Sequence, residues 1–364
     1  MIYILPLEPL EERYTEQWWR WFQAWLKSHN VEHCFIPGEA LTTSVESGKV
    51  LDIEGTNYWK ATQLAAVCRL FKNGYGRVKD GDKFFTMDLW HPGLEAIKYM
   101  AVLENIDVEI YGFLHAGSYT TEDFAAPMAP WAQHFEAGWI TMCDKVFVGS
   151  QYHKDKIIAT RASSASMIED WEEKIIVTGC PLTLAGEGAG NWVLTPVAGR
   201  EKIIIFPHRW DYEKRPGVFV DMMNELWERR QDFHVLITSS RRKQERPELG
   251  RARFPYVVQE SITKAMYYHW LSMSRVFVST TIEENFGLCL CEASILGCHP
   301  VVPNAFSHPE ILRNDPKFLY TAGSIDSALI KINAALDNPV SAARYIESYG
   351  RSLDKIMSEM GVCD

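Results

Sequence analysis

Two acidic residues in the second half of the chain have a spacing that suits a long, hydroxyl-rich ligand. Glu284 and Glu292 flank a short Asn-Phe-Gly turn inside an otherwise apolar run. Carboxylates are rarely buried unless something binds them. If both residues lay on one helix, they would be about 12 Å apart along its axis, which is too far for two carboxylates that share a proton. The spacing instead predicts hydrogen bonds to hydroxyl groups at two ends of one ligand.

Two basic residues earlier in the chain have the pattern of a phosphate site. Arg209 and Lys214 follow the apolar run 202–206 and precede a helix that Pro216 opens. Two cations beside the free N–H groups of a helix N-terminus bind anions well. The helix dipole disfavours basic residues at this position, so the alternative of ordinary helix-start residues is weaker. A sugar and a ribose joined by a diphosphate would satisfy both the cations and the carboxylates.

Short apolar runs alternate with amphipathic stretches of helical length along most of the chain. The runs rich in β-branched and aromatic residues cover 1–7, 32–37, 84–89, 108–114, 145–150, 174–179, 202–207, 233–238, 256–259, 275–280, 299–304 and 318–321. Helices are predicted between them, for example over 56–72, 92–105, 216–230 and 262–273. This alternation is typical of parallel sheets built from βαβ units.

A turn-rich segment divides the runs into two sets of six. We therefore predict an α/β protein with two doubly wound domains, in which ligands bind beyond the carboxyl ends of the strands. The predicted divisions are a first domain over 1–182, a linker over 183–200, a second domain over 201–338 and a C-terminal helix over 339–364.

Composition excludes several classes of function. The 364 residues carry a net charge of −10, whereas proteins that coat nucleic acid are normally basic. Any contact with nucleic acid must therefore be local, and two basic clusters, 69–83 and 241–253, could make it or could be solvated loops. The sequence shows no membrane-spanning run, signal peptide or metal-binding motif, and its eight cysteines have the scatter of reduced thiols. We expect a cytoplasmic, metal-independent protein that does not contact membranes.

The spacing of these residues resembles a known family. Glu284-x7-Glu292, with "NFG" inside it and "GCHPVVPN" after it, is similar to the E-x7-E signature of family 4-like retaining glycosyltransferases of the GT-B fold. Arg209 and Lys214 resemble that family's second signature, an Arg and a Lys five positions apart. The resemblance implies two Rossmann-like domains facing across a cleft, and a nucleotide-sugar donor that is expected to be a UDP-linked hexose. It also implies retained configuration, with no cofactor and no metal.

The resemblance assigns roles within the second domain. Glu284 would contact the donor sugar and Glu292 the ribose, while Arg209 and Lys214 would stabilise the leaving diphosphate. The donor-binding set is Arg209, Lys214, Glu284, Asn285, Phe286, Gly287, Leu288 and Glu292, the middle residues contributing backbone N–H groups. Glu283 has no counterpart in the signature, and we expect it to be solvated.

Shorter resemblances concern the acceptor. The stretches "HRWDYEKRPGVF" (208–219) and "VVPNAFSHPEIL" (301–312) are similar to tRNA-queuosine mannosyltransferases, and "PLEERYTEQW" (9–18) resembles uncharacterised viral glycosyltransferases, some of which glycosylate hydroxymethylated pyrimidines in DNA. The favoured acceptor is 5-hydroxymethylpyrimidine in DNA, and the second is queuosine in tRNA. A small glycan stays open, as does a non-catalytic nucleotide-sugar-binding protein. The glycine- and histidine-rich loop that the family places after the first strand is absent, and "EPLEERYTEQWW" (8–19) stands there.

Polar residues after first-domain strands are the candidates for binding that acceptor. Asp88 could orient its hydroxyl and Trp90 could stack its base, although a buried helix cap and a core tryptophan are the alternatives. The resemblance places His115 near the donor sugar, against the alternative of a core histidine. The acceptor-binding candidates are Asp88, Trp90, His91, Tyr119, Arg69, Lys72 and Arg77. The catalytic candidates are Arg209, Lys214, Glu284, His115 and Asp88.

Overall fold

The computed structural model describes residues 1–10, 14–41, 56–71, 78–123, 125–183, 195–239, 246–260 and 262–362. The chain forms two compact units. The first comprises Met1–Gly149, His153–Thr178 and Leu353–Asp364, and the second comprises Ser150–Tyr152 and Gly179–Ser352. Each unit is built on one six-stranded parallel sheet with helices between its strands, as the alternating sequence pattern predicts.

The sheet of the first unit has the strand order β2-β1-β3-β4-β5-β6. Its strands are β1 (Ile2–Leu5), β2 (His33–Phe35), β3 (Asp82–Thr86), β4 (Val108–Phe113), β5 (Lys145–Val148) and β6 (Ile175–Val177). The helices that connect them are α1 (Tyr14–Ser28), α2 (Tyr58–Leu70), α3 (Glu95–Glu104), α4 (Ala129–Met142), α5 (Gln151–Arg161) and α6 (Ala165–Lys174). The order reverses between β1 and β3, where Leu5 is in register with Thr86.

The sheet of the second unit has the strand order β12-β11-β10-β7-β8-β9. Its strands are β7 (Ile203–Phe206), β8 (His234–Ser239), β9 (Tyr256–Glu260), β10 (Val276–Val278), β11 (His299–Pro303) and β12 (Leu319–Tyr320). Its helices are α7 (Pro216–Arg229), α8 (Lys264–Met273), α9 (Leu288–Ile295), α10 (His308–Ile311), α11 (Ile325–Asp337) and α12 (Ala343–Ile346). Read from β9, this is the Rossmann order, and it reverses between β7 and β10.

The strands are apolar on both faces because helices cover both sides of each sheet. Ile204, Ile205 and Phe206 of β7 are all fully buried, although successive side chains of a strand point to opposite faces. This is why the sequence shows continuous apolar runs instead of alternation. All twelve predicted runs overlap a strand, and the four helices named from the sequence are confirmed as α2, α3, α7 and α8.

The C-terminal stretch differs from the single helix expected over 339–364. It contains α12, a 3₁₀ turn over Glu347–Arg351, and then α13 (Ser352–Glu359). Gly350 lies in the tighter turn, and glycine is a poor former of continuous helix. The stretch is also divided between the units, because its residues up to Ser352 belong to the second unit and Leu353–Asp364 belongs to the first. Within the described parts of the chain, no helix is long and apolar enough to cross a membrane.

Candidate functional site

The two motifs of the second unit meet at the carboxyl edge of its sheet. Arg209 and Lys214 lie in the loop after β7, and Glu284 lies in the loop after β10. These strands flank the reversal of strand order, which is where doubly wound sheets bind their ligands. The ammonium Nζ of Lys214 is 2.8 Å from Oε2 of Glu284, so residues that are 70 positions apart in sequence form one ion pair.

Burial and charge act in opposite directions on this ion pair. The Lys214 and Glu284 side chains are only 12% and 19% exposed. Burial alone would raise the pKa of Glu284, but the charge of Lys214 outweighs it and lowers that pKa. Burial would likewise lower the pKa of Lys214, and the attraction and hydrogen bond of Glu284 raise it instead. Both groups therefore stay ionised at neutral pH, as a fixed ion pair at the sheet edge.

Glu284 also binds the start of α9. Gly287 precedes that helix with a φ of 86°, a conformation that favours glycine, and its N–H donates to Oε1 of Glu284 at 3.1 Å. One of the three backbone donors predicted for the ligand, at Phe286, Gly287 and Leu288, is thus already used by Glu284. The ring of Phe286 is buried edge-on against Tyr349, with centroids 5.1 Å apart.

Asn285 and Arg209 occupy contrasting positions in these loops. The carbonyl of Asn285 accepts a hydrogen bond from the Ser150 hydroxyl at 2.5 Å. Arg209 is 43% exposed, and its guanidinium contacts Asp211 at 3.2 Å and Glu213 at 2.8 Å. Arg209 is therefore the accessible cation of the motif and Lys214 the sheltered one.

Glu292 lies inside α9 and is 2% exposed. Its carboxylate accepts hydrogen bonds from Lys264 Nζ at 2.6 Å and from the hydroxyls of Tyr267 and Tyr268 at 3.0 Å each. These bonds use three of the about four positions at which a carboxylate accepts hydrogen bonds. Because α9 begins only at Leu288, Glu284 is not on the same helix, and the separation of about 12 Å expected from helical rise does not apply.

Glu283 is not solvated, contrary to the expectation from sequence. It is 8% exposed, and its side chain hydrogen-bonds the hydroxyl of Tyr152, which groups with the second unit. Burial, followed by the charge of Glu283, raises the pKa of Tyr152 to about 12. The doubled acid of the motif is therefore two buried carboxylates, one paired with a lysine and the other with a tyrosine.

Two buried histidines beside the Lys214–Glu284 pair were missed by sequence reasoning. Burial lowers the pKa of His208 to about 3 and that of His308 to about 4, and the charges of Lys214 and Glu284 act on both. His208 Nε2 has no hydrogen-bond partner among the described residues. The position of His208 directly before Arg209 was the only available signal.

In the first unit, Asp88 forms an ion pair with a lysine that the sequence did not indicate. Asp88 follows β3, and its Oδ2 is 2.6 Å from Nζ of Lys60, which also donates to the carbonyl of Trp90. Oδ1 accepts from the N–H of Trp90 at 3.1 Å. Burial opposes ionisation of Asp88, but Lys60 and then His115 outweigh it and lower its pKa. The carboxylate expected to orient an acceptor hydroxyl is therefore ionised and held in place.

His115 follows β4 and is partly buried among aromatic rings. Its Nε2 lies 2.8 Å from the carbonyl of Met87, and the rings of Phe113 and Trp18 lie 4.8 and 5.0 Å away. Burial lowers its pKa, and the nearby charge of Asp88 only partly opposes this. His115 is neutral at pH 7 and near Asp88.

Three other acceptor candidates are buried, and their contact with an acceptor stays a prediction. Trp90, His91 and Tyr119 are 7%, 1% and 5% exposed. The Trp90 indole N–H donates to Glu136 at 2.8 Å, and its ring packs edge-on against Trp139. These contacts are those of the core alternative given for Trp90 from the sequence.

Tyr119 and His91 are held by polar partners of their own. The Tyr119 hydroxyl is 2.6 Å from Nε2 of His153, and Nε2 of His91 is 3.2 Å from Oε1 of Gln63. Burial lowers the pKa of His91 to about 3. Both side chains thus fix the loops after β3 and β4 and do not face solvent.

The two basic clusters differ in how far their described residues are paired with carboxylates. In 69–83, Arg69 is exposed at the end of α2, while Lys83 forms an ion pair with Glu109 at 2.5 Å. Lys72 and Arg77 lie outside the described residues, as does 241–245 of the other cluster. The remaining arginines of that cluster all contact carboxylates, in the pairs Arg246–Glu260, Arg251–Asp221 and Arg253–Glu228. In the described ranges, no group of three or more His, Cys, Asp or Glu side chains is arranged to hold a metal ion.

Comparison with known proteins defines the class of the second unit. Residues 195–352 match the family model "Glycosyl transferases group 1", which ends at the last residue of that unit. Among curated proteins, 117 residues are 33% identical to tRNA-queuosine alpha-mannosyltransferase from Drosophila melanogaster, which is 30% of each protein. The chain therefore matches less than a third of that relative's length.

Solved structures match nearly the whole chain. Sucrose-phosphate synthase from Thermosynechococcus elongatus gives a TM-score of 0.69 at 11% identity, over 99% of this chain and 96% of that one. The UDP-forming α,α-trehalose-phosphate synthase from Burkholderia xenovorans gives 0.66 at 12% identity, over 99% and 98%. At these identities the likeness shows the fold, which is the GT-B fold. Within it, residues 195–352 are the part that matches the glycosyl transferases group 1 model.

Proposed function

We propose that the protein is a retaining glycosyltransferase that moves a hexose from a UDP-linked donor to a hydroxyl on a modified nucleic-acid base. The observation that carries the proposal is the Lys214–Glu284 ion pair at the strand reversal of a glycosyl transferase group 1 domain. The pair brings together the two motifs on which the resemblance rests.

The donor is proposed to lie across the loops after β7 and β10. Lys214 and Arg209 supply positive charge for the diphosphate, and Glu292 keeps one acceptor position for a ribose hydroxyl. As the bond from sugar to diphosphate breaks, negative charge builds up on the leaving phosphate. Cations that are already fixed stabilise that charge without reorganisation. No step requires a metal ion or a cofactor.

Two acceptors have specific support. The similarity to tRNA-queuosine alpha-mannosyltransferase favours queuosine in tRNA. The opening "PLEERYTEQW" favours 5-hydroxymethylpyrimidine in DNA. Both acceptors present a hydroxyl on a modified base, which a protein reaches in single strands or after the base leaves the stack. The cytoplasm is the proposed location.

Nucleoside mass spectrometry tests the proposal directly. The protein is incubated with UDP-glucose and, in parallel, with hydroxymethylcytosine DNA, hydroxymethyluracil DNA and queuosine-containing tRNA. A hexose added to one nucleoside identifies both the reaction and the acceptor. If no acceptor is modified while UDP raises the melting temperature, the nucleic-acid part is wrong and small glycans become the next acceptors to test. If UDP has no effect either, the donor site is wrong.

A non-catalytic nucleotide-sugar-binding protein is the alternative of a different class. Such a protein would bind UDP but would not cleave the hexose from the nucleotide sugar, with or without an acceptor. Retention is tested by NMR of the anomeric proton in the product. An α-linked product from an α-linked donor is expected, and a β-linked product would contradict retention.

A further inference from the structure

The loop after β1 carries a buried carboxylate, one oxygen of which has no hydrogen-bond partner in the part of the chain that the structure describes. Glu8 is 7% exposed, and its Oε1 has no hydrogen-bond partner among the described residues. Leaving a buried carboxylate oxygen without a hydrogen bond costs folding free energy. Proteins keep such groups chiefly where function needs them.

The position of Glu8 in the fold indicates that its carboxylate could bind a ligand. Strands β1 and β3 are parallel neighbours in register, with Leu5 opposite Thr86. Glu8 follows the end of β1 by three residues, and Asp88 follows the end of β3 by two. The strand order of the first sheet reverses between these two strands, so both carboxylates lie at the ligand-binding position of a doubly wound unit.

One face of α2 ties these two loops together. The indole N–H of Trp59 and the amide of Gln63 both donate to the carbonyl of Pro6, at 3.0 and 2.8 Å. Between them on the helix, Lys60 binds Asp88 at 2.6 Å. All three side chains are buried, so the loops after β1 and β3 are fixed before any ligand arrives.

The two carboxylates differ in what they bind within the fold. Asp88 is neutralised by Lys60, whereas nothing described neutralises Glu8. A carboxylate accepts hydrogen bonds and donates none, so its natural ligand is a hydroxyl donor and not an anion. The segment that carries Glu8 is also where the sequence departs from the loop expected in the family.

We propose that Glu8, positioned beside Asp88 by the α2 side chains, binds a hydroxyl group of the acceptor. This rests on the proposed function, because it takes the first unit to bind the hydroxyl that receives the sugar. Lys60 is a positioning residue: it fixes Asp88 and does not itself touch the acceptor.

Two variants of the full chain test the role of Glu8. Glu8→Gln keeps the shape and removes the charge, and Glu8→Met removes the polar group altogether. Glu173→Gln, on an exposed residue of α6, is the matched control. The Michaelis constants for acceptor and donor and the melting temperature with and without UDP are measured for each.

We expect Glu8→Gln to lower kcat/KM for the acceptor by about 10-fold to 100-fold, the usual worth of a hydrogen bond to a charged group. The KM for the donor and the UDP-induced shift in Tm should match those of the wild type and of Glu173→Gln. Glu8→Met should raise Tm by about 2 °C, because an unpartnered buried carboxylate is removed.

Two results would overturn the proposal: unchanged acceptor kinetics in Glu8→Gln, or a fall in Tm in Glu8→Met, which would make Glu8 a support of the fold. Failure of the proposed function gives a different pattern, in which the wild type modifies no acceptor. In that case the Tm of Glu8→Met decides alone. A rise supports a ligand site that is kept at a cost in stability, and a fall overturns it.

Discussion

The carboxyl edges of the two sheets present polar groups at equivalent positions but are built from different parts of the sequence. In the second unit, Lys214 and Glu284 come from two short motifs, and the ion pair that they form is part of the candidate donor site itself. In the first unit, Asp88 pairs with Lys60 of α2, the helix before β3, and the Trp90 indole N–H donates to Glu136. The carboxyl edge of the first sheet is thus stabilised by contacts between residues that form no local sequence motif.

This difference teaches where a site can be read from sequence. A site that binds phosphate needs cations and helix N-termini at fixed offsets from strand ends, so it leaves a spacing pattern. A site that binds a neutral hydroxyl needs only one or two carboxylates in a fixed place. The residues that fix them are scattered and are not distinguished by their type.

Replacing Lys214 should give the largest loss of activity. It would show whether the carboxyl edge of the second sheet, unlike that of the first, is built from motif residues that act in the reaction. We expect Lys214→Ala to lower kcat by about 100-fold to 1,000-fold, because one fixed donor to the developing charge is lost. Transfer is measured by nucleoside mass spectrometry. Lys317→Ala, an exposed lysine of the same unit, should transfer at the wild-type rate. Equal rates in the two variants would exclude Lys214 from the reaction.

Removing the charge of Glu284 should destabilise the second unit. Glu284→Gln leaves Lys214 buried without its counter-charge, which costs about 3 kcal/mol in the free energy of unfolding. Glu225→Gln is the control, since it breaks an exposed pair with Arg229 and should cost less than about 1 kcal/mol. Urea unfolding at pH 7 measures both. Similar costs would show that the Lys214–Glu284 pair is no more important than a surface pair.

The pH range of this pair follows from the pKa directions. The pKa of Glu284 is lowered from 4.5, so its contribution to stability is present above pH 4.5 and is lost as pH falls through the lowered value. The pKa of Lys214 is raised from 10.5, so its contribution is present below pH 10.5 and is lost as pH rises through the raised value. The contribution of the pair to the stability of the wild type should therefore be constant between about pH 6 and pH 9. In Glu284→Gln, burial lowers the pKa of Lys214 without opposition from Glu284, so the difference from the wild type should shrink at the pH where Lys214 of the variant loses its proton.

The buried histidines beside the Lys214–Glu284 pair should make the free energy of unfolding decrease in mild acid. Burial holds the pKa of His308 at about 4 against 6.5 in the unfolded chain, so the unfolded state takes up the proton first. Stability therefore falls as pH drops from 6.5 to 4, by about 1.4 kcal/mol per pH unit for this residue. His308→Gln should reduce the slope of unfolding free energy against pH by that amount. His234→Gln, an exposed histidine, should leave the slope unchanged.

Replacing Trp90 should give the smallest effect. The replacement tests whether Trp90, at the carboxyl edge of the first sheet, binds the acceptor. Trp90→Phe removes the indole donor to Glu136 and should cost about 1 to 2 kcal/mol in the free energy of unfolding. It should leave the KM for the acceptor unchanged, because the ring is buried. Trp131→Phe, at an exposed position, should change neither quantity. A rise in acceptor KM without a loss of stability would support the prediction that Trp90 stacks on the acceptor base.

The sequence predicted the strands well because helix-covered parallel strands must be apolar on both faces, as Ile204, Ile205 and Phe206 illustrate. It also predicted that Arg209, Lys214 and Glu284 follow the ends of strands, which the structure confirms, while their role in donor binding stays a prediction. It did not predict that Glu283 is buried, because the partner that shelters it, Tyr152, is distant in sequence.

Long-range partners explain the other differences as well. Lys264 lies at the first position of α8, where the helix dipole disfavours a cation, and its contact with Glu292, which is distant in sequence, offsets this cost. Asp88 was identified from its place after a strand, but its partner Lys60 could not be, since α2 carries no feature that links it to β3. Predicting such pairs requires the fold first.

Isothermal titration of UDP into the wild-type protein, Lys214→Ala and Lys317→Ala tests the central claim most directly, because it asks for donor binding at the second edge without assuming any acceptor. We predict saturable one-to-one binding for the wild type and Lys317→Ala, and a loss of affinity of at least about tenfold for Lys214→Ala. Absence of binding to the wild type, or equal affinity in all three proteins, would contradict the assignment of the nucleotide-sugar site to the loops after β7 and β10.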